Sequence, residues 1–116
     1  MDFARGIPVN PPVMPGWDRF PVTSYLAERF SCPVFLDNDV NVMALGERDR
    51  GAAAEAENFI FVKIGTGIGA GIIVGGKIYR GAKGAAGDIG HIGIDGDQTL
   101  CRCGNRGCLE ATAGGA

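Results

Sequence analysis

Phe59-Ile60-Phe61-Val62-Lys63-Ile64-Gly65-Thr66-Gly67-Ile68-Gly69-Ala70-Gly71-Ile72-Ile73-Val74-Gly75-Gly76-Lys77-Ile78-Tyr79-Arg80 reads as three strands separated by two glycine turns. The β-branched and aromatic run 59–64 is a strand. Gly65 to Gly69 turn the chain, and 70–74 is a second strand. Gly75-Gly76 is a hairpin signal, because both central positions of the favoured tight turn need positive φ. Residues 77–80 then form a third, short strand. Upstream, Pro33-Val34-Phe35-Leu36 predicts a short apolar strand that ends in Asp37-Asn38-Asp39. Val40, Met43, Ala44 and Glu47, three and four apart, predict a helix from Val40 to about Arg48. A strand and helix followed by two antiparallel hairpins make a mixed α/β fold.

The flanks are less regular. Pro8, Pro11, Pro12, Pro15 and Pro21 rule out a regular helix over 1–21. Met14-Pro15-Gly16-Trp17 reads as a turn with an aromatic anchor. Thr23 or Ser24 is placed to cap a short helix, and Cys32, beside the strand 33–36, reads as core. Gly51 to Glu57 is a solvated connector or a frayed helix end, and the change in composition over 51–58 marks a boundary between segments 1–52 and 53–116. Residues 81–90 read as loop.

Composition narrows the function classes. The chain has 116 residues, a net charge of −2 and no Lys/Arg block, so nothing in it predicts nucleic-acid backbone binding. No apolar run reaches the ~20 residues of a membrane span, and Met1 to Gly6 lack the layout of a signal peptide. The expected compartment is the cytoplasm. All but three of the 20 glycines lie from Gly51 onward. They are interleaved with Ile, Val and Phe, which favours buried strands with tight turns over a disordered tail.

Three groups of residues carry chemistry. His91, the only histidine, lies in Gly87-Asp88-Ile89-Gly90-His91, and three of the four cysteines follow in Cys101-Arg102-Cys103-Gly104-Asn105-Arg106-Gly107-Cys108-Leu109-Glu110. Cys₃His suits one tetrahedral Zn²⁺, and in a reducing compartment clustered cysteines point to metal before disulfide. Such an ion would leave the second ring nitrogen of His91 for a substrate hydroxyl. It would also hold Asp88 and Glu110 near each other. Asp37-Asn38-Asp39 lies between a strand and a helix. It can cap the helix, or it can supply a carboxylate that accepts a proton from a sugar hydroxyl during phosphoryl transfer. Gly65-Thr66-Gly67 is neither a P-loop nor a dinucleotide fingerprint. It can be a plain hairpin, or it can offer backbone N–H groups and the Thr66 hydroxyl to a phosphate.

In order and spacing, Asp37-Asn38-Asp39-Val40-Asn41 to Ala44-Leu45-Gly46-Glu47, Gly65 to Gly71, Tyr79-Arg80-Gly81, Gly87 to His91 and the Cys101 to Glu110 segment resemble the ROK family of repressors, open reading frames and sugar kinases. The resemblance covers residues 33–112. It implies a partial actin-like ATPase (hexokinase or ribonuclease H-like) fold, with the end of the first lobe over 1–52 and the start of the second over 53–116. It implies Asp39 as catalytic base and Asn38, Asp39, Asp88, His91 and Glu110 as substrate-binding residues. Gly65, Thr66 and Gly67 become the cofactor-binding phosphate segment, and His91, Cys101, Cys103 and Cys108 the ligands of a structural Zn²⁺. ATP and Mg²⁺ are implied for a kinase, a hexose or N-acetylhexosamine as ligand, and a homo-oligomer for the full-length protein.

Two departures from the family pattern matter. Asp88 stands where the family usually has Glu, one methylene longer. The first phosphate motif and the helices closing the adenine site do not occur in these residues, so the chain reads as a fragment that is inactive alone. Pro11 to Asp18 and Asp37 to Glu47 resemble the regulator branch more than the glucokinases. The expected parent is therefore a sugar-responsive transcriptional regulator, contacting DNA only through a helix-turn-helix outside this chain. The alternative is an ATP-dependent hexose kinase.

Overall fold

The computed structural model describes residues 1–11 and 14–115, so Pro12 and Val13 of the proline-rich stretch lie outside the described residues. The chain divides into two compact units, Met1–Asn38 and Asp39–Ala116.

In the first unit, a bridge between Asp2 and Ile7 closes a small loop through Gly6, whose φ of 63° suits glycine. Trp17, Phe20 and Tyr25 pack in series, edge-on and tilted rather than stacked, with ring centroids 5.7 and 5.6 Å apart. The short helix α1 spans Val22–Phe30. It starts at Val22, so Thr23 and Ser24 fall inside its first turn and Pro21 takes the N-cap position without a side-chain cap. The helix stops at Ser31 in the left-handed conformation (φ 50°). The strand expected over 33–36 does not form. A strand is defined by a ladder, none of the described residues pairs with it, and Phe35 is 93% exposed. Cys32 is likewise exposed rather than core, since the strand that would have buried it is not there.

The second unit is built on the segment quoted above. Helix α2 spans Asp39–Arg50. Strands β1 (Phe59–Ile64), β2 (Ile68–Val74) and β3 (Lys77–Ile78) form an antiparallel sheet in the order β1-β2-β3. The β1/β2 register pairs Phe61 with Gly71, Lys63 with Gly69 and Ile64 with Ile68. The first turn is therefore only Gly65–Gly67, two residues shorter than the glycine pattern suggests. Gly75 and Gly76, at φ 55° and 70°, make the β2/β3 turn as their sequence demands. Tyr79 extends the third strand by donating its N–H to the Ile72 carbonyl at 2.7 Å.

Helix α2 lies on this sheet because β2 has no side chains where the helix backbone passes. A Cβ on Gly69 would meet Val40 Cγ1 at 3.2 Å, and one on Gly71 would meet the Val40 carbonyl oxygen at 2.3 Å and Ala44 Cβ at 2.6 Å. Val40 and Ala44 are buried there with Ile73, which shares the face of β2 with the two glycines. The loop after β3 returns across the opposite edge of the contact, where the Ala70 N–H donates to the Gly87 carbonyl at 2.8 Å. A 3-10 turn, Ile89–His91, and the five-residue helix α3, Leu109–Ala113, complete the unit.

Candidate functional site

The Cys101–Cys108 segment is a chain of tight loops that returns three thiols to one point. Cys101 N–H donates to the Asn105 carbonyl at 2.8 Å and Gly107 N–H to the Thr99 carbonyl at 2.9 Å. Gly93 and Cys108 form a bridge that sets this segment against the stretch following His91. Gly104 and Gly107 make the two reversals at φ 94° and 73°. The ligand atoms of His91, Cys101, Cys103 and Cys108 all lie within 4.8 Å of one another, an arrangement that could hold a metal ion. Cys101 Sγ is 3.6 Å from His91 Nδ1, and Cys103 Sγ is 3.7 Å from Cys108 Sγ. Cys101 and Cys108 are buried and Cys103 is half-buried.

The thiols are not equivalent. The Asn105 backbone N–H beside Cys103 lowers that thiol from its ordinary value. Burial, with the neighbouring sulfurs, pushes the Cys108 thiol up to about 12. Three sulfurs gathered this closely resist ionising together unless a cation joins them, which is the behaviour of a metal site's ligands.

His91 links this cluster to the acidic groups. Its Nδ1 faces Cys101, while its Nε2 lies 3.9 Å from Asp88 Oδ1. Asp88 is largely exposed and His91 mostly covered, so the ring has one nitrogen on the sulfur side and the other on the open side. Glu110, in the first turn of α3, reaches the β1/β2 turn. Its Oε2 accepts the Ile68 N–H at 2.8 Å. Gly67 and Gly90 make room for it, since a Cβ at either would stand 3.1 Å from that oxygen. The turn itself is internally bonded, with Gly65 N–H donating to the Gly67 carbonyl at 3.0 Å. Thr66 lines a small open cavity with Arg102, Glu110, Gly114 and Gly115.

Asp39 opens α2 at the same end of the hairpin. Its Oδ1 accepts the Val40 N–H at 2.8 Å and its Oδ2 accepts from Lys63 Nζ at 2.5 Å. The Lys63 bond, set against partial burial, holds the Asp39 carboxyl below its usual value. Asn38 belongs to the first unit, where its N–H donates to Asp37 Oδ1 at 2.7 Å.

The second unit therefore gathers the four metal-site residues around one point, joins Asp88 to them through His91, and brings Glu110 to the turn that carries Gly65, Thr66 and Gly67. Lys63 is the participant that sequence reading passes over. A signal for it exists: strand alternation puts Lys63 on the face of Phe59 and Phe61, and a cation on a half-buried face calls for a partner.

The ROK family model matches residues 5–116. A xylose repressor from Caldicellulosiruptor bescii is 43% identical over 94 residues, covering 81% of this chain and 24% of the repressor. A glucokinase from Halalkalibacterium halodurans is 45% identical over 99 residues, covering 84% of this chain and 30% of the kinase. The crystal structure of a ROK family glucokinase from Streptomyces griseus, in complex with glucose and AMPPNP, superposes with a TM-score of 0.84 at 37% identity, over 95% of this chain and 35% of that one. The chain thus spans about a quarter to a third of the length of the relatives it matches. Its mixed helix–strand arrangement is the corresponding part of the actin-like ATPase fold of ROK sugar kinases. The chain belongs to the ROK family.

Proposed function

We propose that this chain is the sugar-binding and metal-loop part of a sugar-responsive transcriptional regulator. The observation that carries the reading is the two-sided histidine: Nδ1 toward three gathered sulfurs, Nε2 toward Asp88 on the open side. A tetrahedral zinc site with Zn–S about 2.3 Å and Zn–N about 2.0 Å has edges of roughly 3.5–3.8 Å. Two of the six separations, 3.6 and 3.7 Å, match those edges and all six fall within 4.8 Å, so the donor set suits structural Zn²⁺ once the four ligands draw in by up to about 1 Å. Bound there, zinc would fix the ring and leave Nε2, Asp88 and Glu110 for the hydroxyls of a hexose or N-acetylhexosamine. Asn38 and Asp39 would complete the contacts. The lobe division at 52/53, a cytoplasmic setting and a homo-oligomeric parent belong to the same proposal. For the setting, four free cysteines and no helix of the described residues long and apolar enough to cross a membrane are the support.

The regulator is preferred because Pro11 to Asp18 and Asp37 to Glu47 resemble the regulator branch, and repressor-named relatives match at up to 46% identity. An ATP-dependent hexose kinase is the second reading, favoured by a 45% identical glucokinase. In that case Asp39 is the base, and Gly65, Thr66 and Gly67 with Mg²⁺ hold the phosphates of ATP. A gel-shift titration of the full-length parent on its own promoter, with and without glucose, xylose and N-acetylhexosamines, tests the proposal. Release of DNA by one sugar is expected. Sugar-dependent ADP release at ordinary kinase rates of about 1–100 s⁻¹, with no sugar effect on DNA, would replace it by the second reading.

A further inference from the structure

Lys63 and Asp39 are 24 residues apart in sequence and meet because of three features of the second unit. Strand alternation turns Lys63 toward α2, with Phe59 and Phe61 before it on the same face. Its cross-strand partner is Gly69, which presents no side chain. Gly65, two residues on, is equally bare, with the Lys63 Cε 3.9 Å from where its Cβ would be. The lysine stem therefore lies along a glycine-lined path whose far end is the Asp39 carboxylate. Helix α2 is seated on Gly69 and Gly71 by Val40 and Ala44, so neither end of the pair is on a free segment. The carboxylate is held at both oxygens, by the Val40 N–H on Oδ1 and by the ammonium on Oδ2.

We infer that Lys63 is a positioning residue that fixes the Asp39 carboxylate as an ionised hydrogen-bond acceptor at the sugar site, acting through Asp39 rather than on the sugar. The inference rests on the proposal that Asp39 contacts a sugar. A carboxylate with one oxygen on an ammonium still has lone pairs to accept a hydroxyl. It is also a poorer proton acceptor, because protonation would break a charge-assisted bond. The pairing thus suits reading a hydroxyl better than deprotonating it. An isolated lysine–carboxylate pair that is 38% and 62% exposed contributes little to stability by itself. Its consequence is sought in ligand affinity.

A double-mutant cycle on the full-length protein tests this, with sugar affinity measured by calorimetry at neutral pH. Lys63→Met is expected to weaken sugar binding about three- to tenfold, the scale of one charge-assisted hydrogen bond partly open to water. Lys63→Arg, which keeps the cation, should stay within about twofold of wild type. In an Asp39→Asn background the Lys63→Met change should have almost no further effect, since its only route to the sugar has gone. Circular dichroism of each variant identifies any that fail to fold, and Lys63→Gln replaces Lys63→Met if that one does. Equal losses from Lys63→Met in both backgrounds overturn the inference, and so does a Lys63→Met protein that binds like wild type while Asp39→Asn does not. If wild type binds no sugar, both the inference and the proposed function fall. If it binds and Asp39→Asn leaves affinity intact, only the role of Asp39, and with it that of Lys63, is lost.

Discussion

Gly71→Ala separates the seating of α2 from every other feature of the second unit. The added methyl would stand 2.3 Å from the Val40 carbonyl oxygen, 2.6 Å from Ala44 Cβ and 3.0 Å from the Val40 carbonyl carbon. Non-bonded carbon atoms want about 3.5–4.0 Å and carbon to oxygen about 3.3 Å, so the helix must retreat by about 1 Å. Two of the three obstructing atoms are backbone, so no rotamer change relieves them. Gly71 lies mid-strand opposite Phe61 without a positive φ, and alanine costs nothing in backbone conformation there. The penalty is therefore one of overpacking, about 1–3 kcal/mol. In a domain of 150–250 residues that lowers Tm by about 2–4 °C for each kcal/mol. Thermal unfolding of the full-length protein measures it, with Gly93→Ala as control. Nothing lies within 4 Å of a Cβ on Gly93, and such a surface change is expected within about 0.5 kcal/mol of neutral. The same shift would draw Asp39 away from Lys63, so sugar affinity should fall with Tm. A Gly71→Ala protein as stable as the Gly93→Ala control would refute the packing of α2 on β2 described above.

Cys108→Ser removes the most buried sulfur of the candidate metal site; elemental analysis is expected to give about one zinc per wild-type chain and well below that in the variant, whereas undiminished zinc would place the ion elsewhere. Gly87→Ala puts a methyl 1.8 Å from the Ala70 carbonyl oxygen at a φ of 87°, so it should abolish soluble expression or cost more than about 4 kcal/mol, and a variant of normal Tm would show that the loop does not cross β2 there. Asp97 is held down to about 2 by the Thr112 hydroxyl and by Thr99. With the folded value below the unfolded one, its stabilisation is present above the unfolded value of about 3.9 and is lost as pH falls toward 2. Thr112→Val should raise the Asp97 value measured by NMR titration toward the ordinary one, and an unmoved titration would discount the hydroxyl bond.

What the sequence makes legible follows from how local each signal is. The strands of 59–80 are set by alternation and by glycines that only tight turns explain, so all three appear, β1 with the expected bounds, β2 starting at Ile68 rather than Ala70 and β3 reduced to Lys77–Ile78. The cluster of His91, Cys101, Cys103 and Cys108 is legible because its residue types are rare and chemically matched. Pro33–Leu36 shows the reverse. Val34 and Phe35 carry strand propensity, but a ladder needs a second strand, and none of the described residues supplies one. Cys32 stays exposed for the same reason. The cap failed on a single residue: helix α1 begins at Val22, and a hydroxyl inside the first turn cannot take the role of one before it.

The glycines carry the less obvious lesson. A glycine-rich turn between strands suggests a phosphate cradle, yet most of these glycines have an assignment within the fold. Gly69 and Gly71 admit α2, Gly67 and Gly90 admit the Glu110 carboxylate, and Gly87 admits the Ala70 carbonyl. Even the Gly65 N–H is spent on the Gly67 carbonyl. A glycine count therefore cannot distinguish a sugar-reading site from a phosphoryl-transferring one, because both need the same close approaches to bring Asp39, Glu110 and His91 to one hairpin. The difference must lie in side chains added to that frame. In this chain the one that meets the candidate base is Lys63, whose ammonium on Asp39 Oδ2 makes that carboxylate a poorer proton acceptor than a kinase base calls for.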